Sequence, residues 1–191
     1  MTTCVALLKG INVGGHHSVP MAELRDVLVD LGYLGPETYI QSGNAIFEID
    51  NSADDGDPIG PIDLVDHNLG ISEALEARFG FAVPVFIRTV DDLADVIVRV
   101  PFEVVADPKL VHVLFLGAEP TAERWAAVDE SRAMGDPVIW SGREVFVHYR
   151  NGSGRSKFTG DYVERALRIG VTARNLNTVA ELHRRACARH R

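Results

Sequence analysis

Lys9 is the lone lysine of a glycine-rich stretch, Leu7 to Pro20 (LLKGINVGGHHSVP), that follows an apolar run and ends at a proline suited to a helix start. A glycine-rich turn placed there delivers backbone N–H groups to a helix N-terminus, where anions are favoured. The chemistry to test is phosphate binding. A nucleotide-hydrolysing loop needs a lysine and a hydroxyl directly after the second glycine of G-x-x-x-x-G. Gly10 and Gly15 have that spacing, but His16 and His17 follow, Lys9 comes before, and no G-x-G-x-x-G occurs here. Such hydrolysis is therefore rejected. Two readings of Gly14 and Gly15 remain: an anion-binding turn, or a tight turn that needs positive φ.

A second candidate is RNGSGRSKFTGDYVERAL, in which small residues carry Arg150, Arg155 and Lys157 ahead of a helix start. Guanidinium groups beside backbone donors suit phosphate recognition. The competing reading is a basic loop that covers an acidic edge. His16 and His17 lack a carboxylate or an i+4 histidine partner, and the other histidines are scattered, so no metal is expected. Ser42, in IQSGNAI, lacks the G-x-S-x-G of a nucleophile elbow. Ser42, Gly43 and Asn44 are instead the residue types of a hairpin turn.

These residues hang on a readable series of elements. TCVALL is a buried strand, and Met21, Leu24, Val27, Leu28 and Leu31 keep helical spacing until Gly32. ETYI and NAIFEI form a hairpin across Gln41 to Asn44, and the acidic stretch 50–63 reads as a surface loop. A helix over Leu64 to Phe79 and the strand AVPVFIR complete β-α-β-β-α-β. Thr89 with Asp92 then opens a helix as a capping box. The order repeats: LVHVLFL, a helix from Thr121 through Val128, PVIW and VFVHYR across Ser141 to Arg143, a helix from Asp161 to Arg168, and GVTAR. A last helix is capped by Thr178 with Glu181. TVDDL follows Arg88 and TVAEL comes shortly after Arg174, which points to an internal duplication. The fold expected is α/β (α+β): two ferredoxin-like βαββαβ subdomains, each followed by an extra helix. They would cover residues 1–105 and 106–191, the second with basic C-terminal helices.

At 191 residues, 46% hydrophobic and 24% charged, the chain has the make-up of a soluble globular protein. It has no apolar run of the roughly 18 residues that span a bilayer. MTTCVALLKG reads as a first strand without a basic leader, so a cytoplasmic location is expected. Cys4 and Cys187 are too few and too far apart for a disulfide framework and read as reduced thiols. The net charge of −8 is segregated: residues 143–191 hold eleven Lys and Arg against four acids, and the rest holds eight against 23. That asymmetry steers an anionic ligand to one end, or marks terminal helices docked on an acidic neighbour. For Arg184 to Arg191 docking is the preferred reading.

The stretch ALLKGINVGGHHSVPMAELRDVLVDLGYLGPETYIQSGNAIF closely resembles the start of the bacterial DUF1697 family, whose members open with ALLRGINVGG…VPM and TYIQSGN. GRSKF and VTARNLNTVAEL resemble its second signature, so the likeness spans nearly the whole chain. Leu176 stands where the family usually has tryptophan, and Phe158 where leucine is usual, so no aromatic stacking role is carried over to that position. The resemblance implies a two-subdomain α/β fold of ferredoxin-like character and no established activity. Its signature polar residues map onto Lys9, Asn12, Gln41, Ser42, Asn44, Lys157, Arg174, Asn175 and Asn177.

The expectation is a cytoplasmic protein that binds a small phosphorylated or nucleotide-like anion between its subdomains. The site would join the Lys9–Gly15 loop, with Gly14 and Gly15, to the Gln41–Asn44 turn and the Lys157 and Arg174 segments. Lys9, Lys157 and Arg174 would supply charge; Asn12, Gln41 and Asn175 would orient the ligand. No cofactor is implied. RNA binding is an alternative, although the strands lack an RNP1-like aromatic pattern and overall acidity argues against a broad phosphate contact. A hydrolase or transferase is another, with His16, His17 or Asp161 as base. A structural role for the signatures is the third.

Overall fold

The computed structural model describes residues 1–50, 64–102 and 107–190. All but Asp50 of the acidic stretch expected as a loop over 50–63 lies outside them, as does the expected subdomain boundary at 105/106. The chain divides into two compact units, Met1–Leu93 with Leu182–Arg191, and Ala94–Glu181.

The first unit runs β1 (Thr2–Leu8), α1 (Met21–Asp30), β2 (Leu34–Thr38), β3 (Asn44–Ile49), α2 (Leu64–Phe79), β4 (Val85–Thr89) and the start of α3 (Val90–Val98). Its antiparallel sheet has the order β2-β3-β1-β4. Cys4, Ala6 and Leu8 alternate onto the face that packs on Leu24, Val27 and Leu28 of α1 and Ile71 and Leu75 of α2. Val5 and Leu7, on the other face, are also fully buried, which explains why β1 reads as one continuous apolar run. Helix α1 ends as its sequence requires. Gly32, at φ +84, lets its N–H reach the Val29 carbonyl (2.9 Å) and the Tyr33 N–H reach that of Leu28 (3.0 Å). This is the paired-bond stop that a left-handed glycine permits.

The second unit holds β5 (Val111–Leu116), α4 (Ala122–Trp125), β6 (Val138–Ser141), β7 (Glu144–His148), α5 (Gly160–Leu167), β8 (Val171–Asn175) and the first half of α6 (Leu176–Cys187). Its antiparallel sheet has the order β6-β7-β5-β8. Leu114 and Leu116 pack with Val145, Val147, Val163 and Leu167 in its core. The two sheets share a register. Val5 faces Arg88 and Ile46 in one; Val113 faces Arg174 and Phe146 in the other. Leu8 donates to the Gly43 carbonyl at 2.8 Å, and Leu116 to that of Arg143 at 2.9 Å.

Several elements differ from the sequence reading. Strand β2 covers Leu34–Thr38, not ETYI, because Ile40 turns left-handed at φ +51 and ends the extended run. Pro36 is tolerated there because β2 is an edge strand with a shifted register between Leu34 and Glu37. Helix α4 stops at Trp125, well before Val128, and a short 3-10 turn over Glu130–Ala133 follows. The last helix starts at Leu176, and its cap is Asn175, whose Oδ1 accepts the Thr178 N–H at 2.8 Å; Thr178 is inside the helix. Thr89 and Asn175 occupy matching places, opposite Cys4 and His112. The likeness of TVDDL to TVAEL is therefore three residues out of structural register, whereas that of Arg88 to Arg174 holds.

Candidate functional site

The first signature folds around Asn12. Its Nδ2 donates to the carbonyls of Val19 (3.0 Å) and Gln41 (2.8 Å), and its Oδ1 accepts the Val19 N–H (2.9 Å). One amide thus closes its own loop and ties that loop to the β2–β3 turn. Asn12 adopts φ +55, a conformation that asparagine tolerates better than most residues. In the same loop Val13 and His16 form a bridge around Gly14 (φ +61) and Gly15 (φ +78). Two successive left-handed residues are what a tight two-residue hairpin needs. The tight-turn reading of these glycines accounts for both. His17 stacks on Phe81 with centroids 4.5 Å apart, and His16 is exposed.

The turn is built as tightly. Asn44 is fully buried, and its Nδ2 donates to the Tyr39 carbonyl (3.0 Å) and to the Ser42 hydroxyl (3.2 Å). The Asn44 carbonyl in turn accepts the Tyr39 N–H at 2.9 Å. Gly43, at φ +81, leaves no room for a side chain: a Cβ would stand 2.8 Å from the Leu8 Cβ and 2.9 Å from the Ile11 Cδ1. Lys9 is half-buried and follows Leu8, which is bonded to Gly43, so Lys9, Gln41 and Ser42 occupy one end of the sheet. Gln41 and Ser42 are exposed there. The structure thus brings together Lys9, Asn12, Gln41, Ser42 and Asn44, and it occupies the amides of Asn12 and Asn44 in holding the backbone.

The second signature is divided between two tasks. Arg174 is buried on β8, with its guanidinium donating to the Thr172 hydroxyl (2.9 Å) and the Ala173 carbonyl (2.8 Å). Burial lowers its pKa to about 10, which leaves it charged at neutral pH. Arg88, at the matching position of β4, is buried to 2% exposure and bonds the Ile87 carbonyl at 3.1 Å. Asn175 caps α6, and Asn177 is exposed on it. Lys157 is exposed just before α5, on a segment anchored by the Tyr149 hydroxyl, which donates to the Phe158 carbonyl at 2.7 Å. Phe158 itself is buried in the core, so its ring presents no stacking surface. Asn151, Gly152, Arg155 and Ser156 border a cleft of about 280 Å³ with Asp136, whose carboxylate accepts the Arg150 N–H at 3.0 Å. Among the described residues no group of three or more His, Cys, Asp or Glu is placed to hold a metal ion.

The docked arginines lie where their charge suggested. Arg185 donates to Glu37 at 2.6 Å and covers the Tyr39 ring at 4.7 Å, while Arg189 bonds the Gly35 carbonyl. One pairing escaped the sequence reading: the Sγ of Cys187 lies 3.4 Å from the Nε2 of His183. Their i, i+4 spacing on a helix was the signal that could have found it.

The pattern of the protein of unknown function family DUF1697 matches residues 1–146, so the chain belongs to that family. No curated protein matches it. A solved structure described as that of conserved bacterial protein SP0830 from Streptococcus pneumoniae is similar over 97% of this chain and 98% of that one, with 24% identity and a TM-score of 0.66. The likeness is one of fold.

Proposed function

We propose that this member of the DUF1697 family is a binding protein for a small phosphorylated or nucleotide-like anion, contacted in the first unit by Lys9, Gln41 and Ser42. The observation that carries the reading is the Asn12 bridge. By joining the backbone of the Lys9 loop to that of the Gln41 turn, it supports the reading that both present their polar side chains at one sheet end. Such pre-organisation reduces the ordering cost of binding. Gly14 and Gly15 shape the loop, and Asn12 and Asn44 position the contacts. In the second unit, Lys157 and the Arg155 cleft are the matching anion contact, with Arg174, Asn175 and Asn177 supporting the backbone around β8 and α6.

Two further parts of the reading rest on related grounds. The equal strand orders and registers of the two sheets support duplication of a ferredoxin-like βαββαβα unit. A cytoplasmic location goes with two free cysteines, and among the described residues no helix is long and apolar enough to cross a membrane.

Isothermal titration against a panel of phosphometabolites and nucleotides tests the function. Wild type should bind at least one, and Lys9→Ala should weaken it about tenfold or more, the scale of one charge-assisted contact. The same lack of heat from wild type, Lys9→Ala and Lys157→Ala would end the proposal.

A further inference from the structure

We propose that the cleft of the first unit where β1 begins, α3 starts and α6 ends is a thiol–disulfide exchange site, at which Cys187 forms a mixed disulfide with a small amine-bearing disulfide. The cleft holds about 430 Å³ and is bordered by Thr2, Thr3, Thr89, Val90, Asp91 and Cys187, together with Met1. That volume suits a small molecule.

Three observations converge on it. Cys187 is free and exposed, and its Sγ lies 3.4 Å from the Nε2 of His183, one helical turn earlier. In the tautomer protonated on Nδ1, Nε2 is an acceptor for the thiol proton already in place, which is how nucleophilic thiols are prepared. Thr3 is 2% exposed, and its Oγ1 is the one buried side-chain oxygen or nitrogen among the described residues without a hydrogen-bond partner. A buried hydroxyl left unpaired is a standing cost that a polar ligand removes. Finally, Asp91 places a carboxylate on the rim beside three threonines, a lining that receives an ammonium group and its N–H donors.

The step balances without a further reagent. The Cys187 thiol passes its proton to His183, and the thiolate attacks one sulfur of the small disulfide. The Cys187–S bond forms as the ligand's S–S bond breaks, and the departing thiolate takes the proton back from the imidazolium. Cys187 is oxidised, half of the ligand leaves as a reduced thiol, and the disulfide is itself the oxidant. Cys4 provides the internal contrast: it is fully buried on β1, and its thiol is pushed up to about 12 by burial and then by the charge of Asp92.

The test treats the folded full chain with cystamine at pH 7 and follows intact mass and peptide mapping. A single adduct should form, on Cys187 and not on Cys4, at least tenfold faster than on Cys187 of the urea-unfolded chain. His183→Gln should bring the folded rate down to the unfolded one. Asp91→Asn and Thr3→Val should each slow cystamine several-fold, and Asp91→Asn should not slow the anionic dithiodiglycolate but speed it, as a repelling carboxylate is removed. Circular dichroism identifies any variant that is not folded, and the remaining variants then carry the comparison. A folded rate no higher than the unfolded one overturns the exchange site. Equal rates for cystamine and dithiodiglycolate in wild type and in Asp91→Asn overturn the amine-bearing ligand. Neither outcome touches Lys9, so the anion site stands or falls separately.

Discussion

Gly43 is the residue at which the first signature tolerates least. A methyl group there meets the Leu8 Cβ at 2.8 Å, in a backbone conformation (φ +81) that L-residues enter at a cost. Overpacking and left-handed strain together set the expected loss for Gly43→Ala at about 2–4 kcal/mol, read as a lower urea midpoint with an unchanged slope. An unchanged midpoint would mean that the turn relaxes freely. Asn12 makes a different kind of demand. Asn12→Ala removes three bonds and leaves the Val19 N–H without its acceptor, so stability should fall by about 1–3 kcal/mol. If the Proposed function holds, ligand affinity falls with it. Cys4 sets a limit at high pH. Its ordinary value is 9.0 and the folded value is about 12, so the unfolded chain ionises first. The stability that the buried neutral thiol contributes is fully present below pH 9 and is lost as pH rises towards 12. Cys4→Ala should flatten that part of the curve in denaturant titrations run at several alkaline pH values.

Helices and strands differ in how far their limits can be read from the chain. The limits of α2 are legible because apolar positions recur at helical spacing between Pro61 and Gly80. Helix α4 is not: Thr121 caps it as its type suggests, at 3.3 Å from the Arg124 N–H, yet it stops after one turn, and a separate 3-10 turn capped by Asp129 follows. Nothing in AERWAAVDE opposes a longer helix, so tertiary packing, with Trp125 stacked on Trp140 at 5.3 Å, decides its end. The start of α6 is misread for a related reason. Both Asn175 and Thr178 are good caps, and only the pairing of β8 with β5 keeps the chain extended through Asn175. Asn175→Ala should therefore cost about 1 kcal/mol in thermal unfolding, and Thr178→Ala should leave the cap itself intact. Of the candidate site, Lys9, Asn12, Gln41, Ser42 and Asn44 are legible as a group because strand ends and turns collect polar residues. That Asn12 and Asn44 bond backbone rather than solvent is not legible, since the same amide serves either purpose until its partners are known.

For the molecule as a whole, the basic C-terminal residues have a clear destination. Arg185 and Arg189 meet Glu37 at 2.6 Å and 3.9 Å, and Arg189 also holds the Gly35 carbonyl, all on strand β2. These side chains are partly exposed, so the ion pairs contribute little stability by themselves. Their value lies in what they cover. Strand β2 is an edge of its sheet, and an edge with unpaired backbone groups invites another chain to add to it. Pro36 withholds one donor, the shifted register between Leu34 and Glu37 bends the strand, and the two arginines engage the Glu37 carboxylate and the Gly35 carbonyl. Replacing Arg185 and Arg189 together with alanine should consequently leave the melting temperature within a few degrees of the unaltered chain's and yet produce concentration-dependent aggregation, visible by light scattering. A double variant that stays monomeric at high concentration would show that Pro36 and the bent strand suffice. The tail of this chain, on that reading, is less a handle for a partner than a guard against self-assembly.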